Sequence, residues 1–466
     1  MSIRFFKLFL KVPILLLAVI EGALFFFAPY LAAAIRLGPG YMETATPGGT
    51  LLPTALLFSI LCVASSFAFG LYTTRQRAGT VGLMIRVVVG ALNGAALSAL
   101  FFYFAPKFAL TRDVLGIAGV LAALSSAATR ALFERIVDQE TFKRRVLVYG
   151  AGQRAASLLQ LRRRTDQRGF RLVGFMATEG DRVTVPPEKR VPRPNDLLQW
   201  ADEHELDEIV VAMDDRRRGF PVVELLDCRM AGIDVVELPS FLERETGKVR
   251  LDVLNPSWII FGEGFRNSLL QRGLERGFDV LASSGLLLLA SPFMLLAVVA
   301  IKLEDGLRAP VLYRQARVGR NSETFDIVKF RSMRQDAEKP GEAIWAKPGD
   351  PRVTKVGAIM RKTRIDELPQ LFAVLRGDMS FVGPRPERPE FVAQLEQKIP
   401  YYRERHTVKP GITGWAQLCY PYGASEKDAL EKLQYDLYYV KNRSLLFDLA
   451  ILIQTVEVVL WGKGAR

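Results

Sequence analysis

Cysteine and histidine are scarce in this chain. Three cysteines, Cys62, Cys228 and Cys419, lie far apart in unlike contexts, and no CxxC pair exists. A disulfide framework is therefore excluded. His204 and His406 are the only histidines, which rules out a zinc site built on imidazoles. A metal, if one is used, should be a hard ion held by oxygen. Acidic residues are outnumbered, with 49 Asp and Glu against 62 Lys and Arg for a net charge of +13. That excess invites an anionic partner: nucleic acid, acidic lipid or a phosphorylated substrate. Disorder and collagen-like repeats are excluded by a hydrophobic content of 50%.

Charge is nearly absent from much of the first third. Four apolar stretches, 12–35, 51–72, 87–105 and 114–133, are each long enough to cross a membrane. A cleaved signal peptide fits the first poorly, because it is too long and no small-residue cleavage site follows. Arg4, Lys7 and Lys11 precede it. Arg75, Arg77 and Arg86 separate the second stretch from the third, and Arg135, Lys143, Arg144 and Arg145 follow the fourth. The opposite loops hold only Arg36, Lys107 and Arg112. Basic residues stay cytoplasmic, so both ends of this bundle are expected there. Glu21 lies inside a span, where it is either functional or paired with a neighbouring helix.

From about residue 141 the pattern changes to buried-strand runs alternating with helical ones: Arg145–Tyr149, Arg171–Met176, Glu208–Ala212 and Ile233–Glu237. Such alternation predicts a parallel sheet covered by helices. Gly150, Gly152 and Ala155 match G-x-G-x-x-A, the turn that lets a pyrophosphate approach a helix N-terminus. No acidic residue ends the second strand, where Met176, Ala177 and Thr178 stand in place of a ribose ligand. Bound nucleotide and a turn kept for packing both remain open.

Val280–Ile301 is a run of 22 residues without a charge, yet it is basic on both flanks: Arg266, Arg272 and Arg276 before, Lys302, Arg308, Arg314, Arg317 and Arg320 after. One crossing would put one of those flanks on the wrong side. Ser291-Pro292 near its middle can break a helix while Ser satisfies the freed carbonyl. A segment that enters the membrane, breaks there and returns reconciles length with charge; the alternative is a proline-kinked span. The last apolar stretch, Leu445–Trp461, carries Asp448 and Glu457 and reads as an interfacial helix.

Four motifs follow: Lys329–Met333 (KFRSM), Arg361–Gln370 (RKTRIDELPQ), Gly377–Glu387 (GDMSFVGPRPE) and Val408–Trp415 (VKPGITGW). Adjacent Asp366 and Glu367 before Pro369 suit the first turn of a helix. With Arg361 and Arg364 just upstream they equally suit a diphosphate site that holds a nucleophilic carboxylate.

Together with the Ser-Pro-Phe of the membrane segment, this series resembles the signature of bacterial polyprenyl-phosphate hexose-1-phosphate transferases. These monotopic phosphoglycosyl transferases begin exopolysaccharide and O-antigen assembly. The layout is similar to that of the long members. It implies a four-helix transmembrane bundle (1–140), a Rossmann-like α/β domain (141–262) and a mainly α catalytic domain (263–466) with a re-entrant helix at 276–303.

The resemblance further implies that Asp366 attacks a UDP-hexose and expels UMP, and that undecaprenyl phosphate then collects the sugar phosphate. Glu367 would bind Mg²⁺, Arg361 would clamp a phosphate, and Lys329 and Arg331 would line the same site. Pro384, Arg385 and Pro386 would lie near the nucleotide, and Ser291 and Pro292 would be the helix break. The expected setting is the bacterial inner membrane with a cytoplasmic catalytic domain. The net positive charge then answers to lipid and diphosphate rather than to nucleic acid. A homodimer, through the middle unit or the spans, is plausible by resemblance alone. Two rivals make different predictions: a membrane glycosyltransferase releasing UDP, and a membrane-tethered nucleotide-sensing scaffold.

Overall fold

A computed structural model describes residues 2–5, 8–38, 50–69, 71–72, 80–137, 143–161, 164–167, 169–179, 181–215, 219–254, 268–334, 351–420, 423 and 425–461. Arg75, Arg77 and Arg266, expected to bear on topology, lie outside the described residues, as does the side chain of Glu457. The chain divides into two compact units, 1–254 and 255–466.

In the first unit a short hairpin (β1 Ser2–Phe5, β2 Leu8–Lys11) leads into α1 (Val12–Leu37), α2 (Leu52–Ala68), α3 (Thr80–Phe104) and α4 (Arg112–Val137). Segments 15–37, 86–104 and 112–133 are long and apolar enough to cross a membrane, and α2 is a shorter apolar helix. Small residues set the helix contacts. Ala32, Ala33, Ala55, Ala91, Ala118 and Ala122 are buried, and Gly94 leaves no room for a side chain against Cys62.

Glu21 is paired. Its carboxylate accepts from Arg130 (2.7 Å), Tyr72 (2.5 Å) and Ser126 (2.6 Å), while Arg130 also donates to the Leu71 carbonyl (2.7 Å). A buried charge needs its partners supplied by the protein, and here Arg130, Tyr72 and Ser126 supply them.

The α/β part is a five-stranded parallel sheet in the order β5-β4-β3-β6-β7: β3 (Arg144–Tyr149), β4 (Phe170–Met176), β5 (Arg190–Val191), β6 (Glu208–Val211) and β7 (Asp234–Glu237). Central strand residues Val146–Tyr149 and Glu208–Val211 are buried on both faces, as a parallel sheet requires. Glu208 is tolerated there because Arg144 and Arg244 pair with it. Helices α5 (Leu197–Glu203), α6 (Val222–Met230) and α7 (Leu238–Thr246) cover the sheet. The helix expected after the glycine turn is short: four α residues, Gln153–Ala156, give way to a 3₁₀ turn at Ser157–Gln160. There the Ser157 hydroxyl bonds back to the Arg154 carbonyl (2.7 Å), a competitor to helical bonding.

The second unit begins with α8, Leu269–Asp305, a helix of 37 residues. It runs through Ser291-Pro292 without an unwound segment. Proline at 292 cannot donate to the carbonyl of residue 288, and the Ser291 hydroxyl does so instead (2.8 Å). Both ends of α8 fasten to the same unit. Near its start, Arg276 donates to the carbonyls of Val374 (2.6 Å) and Leu375 (2.5 Å), and Asp279 accepts from the Ser380 hydroxyl (3.0 Å) and the Phe381 amide (3.1 Å). Near its end, Glu304 accepts from the amides of Lys355 (2.8 Å) and Val356 (3.0 Å), and Ala297 and Ile301 pack with Phe330 and Met360. Between these anchors Leu288, Leu289, Phe293, Leu295 and Leu296 are exposed.

An antiparallel hairpin follows, β8 (Leu312–Val318) with β9 (Thr324–Phe330), then α9 (Lys355–Thr363), a 3₁₀ turn (Ile365–Gln370) and α10 (Leu371–Arg376). Gly377, at φ 98°, ends α10 in the left-handed conformation glycine favours. β10 (Ser380–Val382) pairs in parallel with β11 (Gly411–Thr413). Helices α11 (Pro389–Lys398), α12 (Trp415–Cys419), α13 (Glu426–Asn442) and α14 (Leu445–Trp461) complete the unit. One side of α14 is core, with Phe447 and Ile451 buried beside Trp415 and Tyr439, and Asp448 accepting from the Tyr439 hydroxyl (2.8 Å).

Candidate active site

Three chain segments converge on the acidic pair. The 3₁₀ turn carries Asp366 and Glu367, the end of β9 carries Lys329, and the loop after β10 carries Arg385. Helix α9 ends at Arg364, a non-glycine residue in the left-handed region (φ 60°), and the chain reverses there into the 3₁₀ turn. The expected first-turn position of Asp366 and Glu367 holds, in a 3₁₀ turn that runs directly into α10. Arg276 from α8 satisfies the last carbonyls of α10, so the membrane helix holds the far end of the acidic segment.

Glu367 is the hub of the cations. Its carboxylate accepts from Arg385 (2.9 Å) and Lys329 (3.1 Å), with Arg364 at 3.5 Å. Burial alone would raise its pKa, but Arg385, Lys329 and Arg364 outweigh burial and hold it well below the usual carboxylate range. Lys329 shifts down, because burial and its cationic neighbours Arg385 and Arg317 prevail over Glu367.

Asp366 differs from its neighbour. It is buried, and its Oδ1 has no hydrogen-bond partner among the described residues. Burial first, and the charge of Glu367 second, raise its pKa, against the pull of Lys329, Arg361 and Arg364. Two adjacent carboxylates thus stand in opposite states: one neutralised by cations, the other buried and unsatisfied. A carboxylate oxygen without a partner beside a cluster of cations is what a covalent phosphoryl carrier needs.

The other expected residues are placed around this centre. Arg361 donates through Nε to the Ser332 hydroxyl (3.0 Å). Arg331 pairs with Asp305 at the end of α8, so it ties β9 to the membrane helix and does not contact the acidic pair. Pro384 accepts from the Gly411 amide (3.0 Å), and the Pro386 carbonyl accepts from Arg317 (3.1 Å). Ser291 and Pro292 are exposed on α8.

Arg405, Asp436 and Gly357 matter here and carried no signal in the sequence. Arg405 donates to the Arg385 carbonyl (2.9 Å) and pairs with buried Asp436 (2.8 Å), fixing the loop that aims Arg385. Gly357 lies so close to the Ser332 carbonyl that a Cβ would approach within 2.1 Å. Gly383 and Gly411 are in equally close backbone contact. Gly383 of the third motif and Gly411 of the fourth therefore let β10 and β11 approach, which sets the Pro384–Pro386 loop.

Among the described residues no cluster of three or more His, Cys, Asp or Glu could cage a metal. Mg²⁺ is usually held by one or two carboxylates together with substrate phosphates. Glu367 could hold Mg²⁺ in that mode only, with phosphate oxygens as further ligands, because its own oxygens already accept from Arg385 and Lys329 and face Arg364.

Comparison with known proteins bears on this geometry. A family model described as bacterial sugar transferase matches residues 270–462, and one described as a CoA-binding domain matches 67–219. A UDP-glucose:undecaprenyl-phosphate glucose-1-phosphate transferase from Klebsiella pneumoniae is 36% identical over 332 residues, 69% of each chain. The chain belongs to the bacterial sugar transferase family. A protein of the same name from Xanthomonas campestris pv. campestris is 28% identical over 93% of this chain and 91% of its own. A UDP-N-acetylgalactosamine-undecaprenyl-phosphate N-acetylgalactosaminephosphotransferase from Aeromonas hydrophila is 45% identical over 242 residues, 52% of this chain. The chain spans 56% of the length of that Aeromonas relative. All four motifs and α8 from Leu270 onward lie within the sugar transferase match.

Proposed function

We propose that this protein transfers a hexose 1-phosphate from a UDP-sugar to undecaprenyl phosphate through a covalent intermediate on Asp366. One observation carries the reading: a buried carboxylate with an unpartnered oxygen, next to a second carboxylate that holds the surrounding cations in place. In the first step a carboxylate oxygen of Asp366 attacks the β-phosphorus. The bond from that phosphorus to the α–β bridging oxygen breaks, and its electron pair leaves with UMP. In the second step a phosphate oxygen of the lipid attacks the same phosphorus, and the carboxylate is released.

Lys329, Arg361, Arg364 and Arg385 surround the pair as the diphosphate would require. When the donor's phosphates arrive, they compete with Glu367 for these cations. Mg²⁺ on Glu367 and the phosphates would supply neutralisation of the leaving charge. The raised pKa of Asp366 suits a group that must become fully nucleophilic only when cations and substrate surround it.

The site belongs at the cytoplasmic face of the inner membrane, because its donor is water-soluble and its acceptor is a lipid. Support comes from the basic flanks of α8 and from the attachment of both its ends to one unit. The relatives' names differ in the sugar, glucose in two and N-acetylgalactosamine in the third, so a panel of UDP-hexoses is the proper test. With undecaprenyl phosphate and purified protein, the expected product is UMP with one of them. Release of UDP would mean glycosyl transfer without the phosphate and would overturn the mechanism.

A further inference from the structure

The glycine turn of the α/β unit has the sequence of a pyrophosphate cradle, whose amides in a dinucleotide enzyme face a phosphate. Here they are already taken. Asp214, just beyond β6, accepts from the amide of Gln153 through Oδ2 (3.0 Å) and from that of Arg154 through Oδ1 (3.0 Å). Asp181 accepts from the amide of Ala151 (2.9 Å), from the Thr178 amide (3.1 Å) and from the Thr178 hydroxyl (2.7 Å) through one oxygen, and from the Asp214 amide (3.2 Å) through the other. The loop holding Asp181 folds over the turn as well, since the amides of Thr184 (2.9 Å) and Val185 (3.2 Å) donate to the Ala151 carbonyl.

We infer that Asp214 and Asp181 are built-in ligands of this turn, so the α/β unit completes its fold without a nucleotide or coenzyme A. The carboxylate of Asp214 bridges two successive amides as a phosphate would, and it brings its negative charge to the same helix end. Gly152 gives the independent observation. A Cβ there would lie 2.0 Å from Asp214 Oδ2 and 2.4 Å from its Cγ. In a dinucleotide enzyme the second glycine clears space for pyrophosphate; in this chain it clears space for an aspartate. The motif is thus accounted for inside the molecule, and the absent ribose carboxylate after β4 agrees with it. A family model named for coenzyme A covers this turn, yet an incoming phosphate would have to displace two carboxylates of like charge.

The test uses the full chain in detergent. Hydrogen exchange of residues 150–156 should be unchanged by millimolar coenzyme A or NAD⁺; new protection there with either one would overturn the inference. Gly152→Ala should lower the melting temperature in the native background and have no further effect beside Asp214→Ala. In Asp214→Ala the amides of Gln153 and Arg154 should exchange about tenfold faster or more, the loss expected for hydrogen bonds to a charged group. Additive effects of the two substitutions, or unaltered exchange at those amides, would contradict it. Should Asp214→Ala not fold, the coenzyme arm on the native chain still decides.

Discussion

At the residue scale, function turns on two neighbouring carboxylates that the fold treats differently. Glu367 stays ionised at any working pH because Arg385, Lys329 and Arg364 hold it. Asp366 is pushed up by burial and by Glu367, so its nucleophilic form is lost as pH falls through a value above the ordinary carboxylate pKa of about 4. The acid limb of kcat/KM should therefore sit above that value. In Glu367→Gln the residual activity should have its acid limb at lower pH, because one negative neighbour is gone; a limb that moves up would contradict the assignment. Asp366 and Glu367 were legible in the sequence as a pair with arginines upstream. Which cation meets which carboxylate was not, because Lys329 and Arg385 reach Glu367 across 38 and 18 positions. Arg331 shows the same limit: its motif groups it with Lys329, but it lies just past the end of β9 and pairs with Asp305 of α8.

At the scale of single elements, α8 is the decisive piece. Its length and charge were plain in the sequence, and so was the role of Ser291 toward a carbonyl freed by Pro292. That the helix stays continuous was not, because one hydroxyl bond suffices to cover the missing one. Ser291→Ala should cost about 1–2 kcal/mol, the penalty for an unsatisfied carbonyl, read as a fall in the unfolding midpoint. Pro292→Ala in the same chain should recover that loss, since the new amide can donate to Leu288. Independent, additive effects would show that the two residues do not share this carbonyl. Four of the five sheet strands were legible within a residue or two, because buried parallel strands leave continuous apolar runs; the edge strand β5, two residues long, left no such run. Helix α7 was not, as its start lies flush against β7 with no intervening turn signal.

At the scale of the whole molecule, the issue is the side of the membrane on which each end of α8 lies. Leu270 stands at the start of α8 and Leu307 just past its end, and both are largely exposed. The native cysteines Cys62, Cys228 and Cys419 are all buried, so they offer little competing reactivity. Leu270→Cys and Leu307→Cys, introduced one at a time, should both react with a membrane-impermeant maleimide only after the cytoplasmic face is opened. Labelling of one of them from the periplasm would show a full crossing.

The account rests most directly on the bond formed at Asp366. Incubation of the purified protein with its UDP-sugar, without lipid acceptor, followed by rapid quenching and peptide mass spectrometry, should find a hexose-phosphate mass added to Asp366. That adduct should disappear when undecaprenyl phosphate is supplied, and it should be absent from Asp366→Asn. An adduct on another residue, or full turnover by Asp366→Asn, would contradict the central claim.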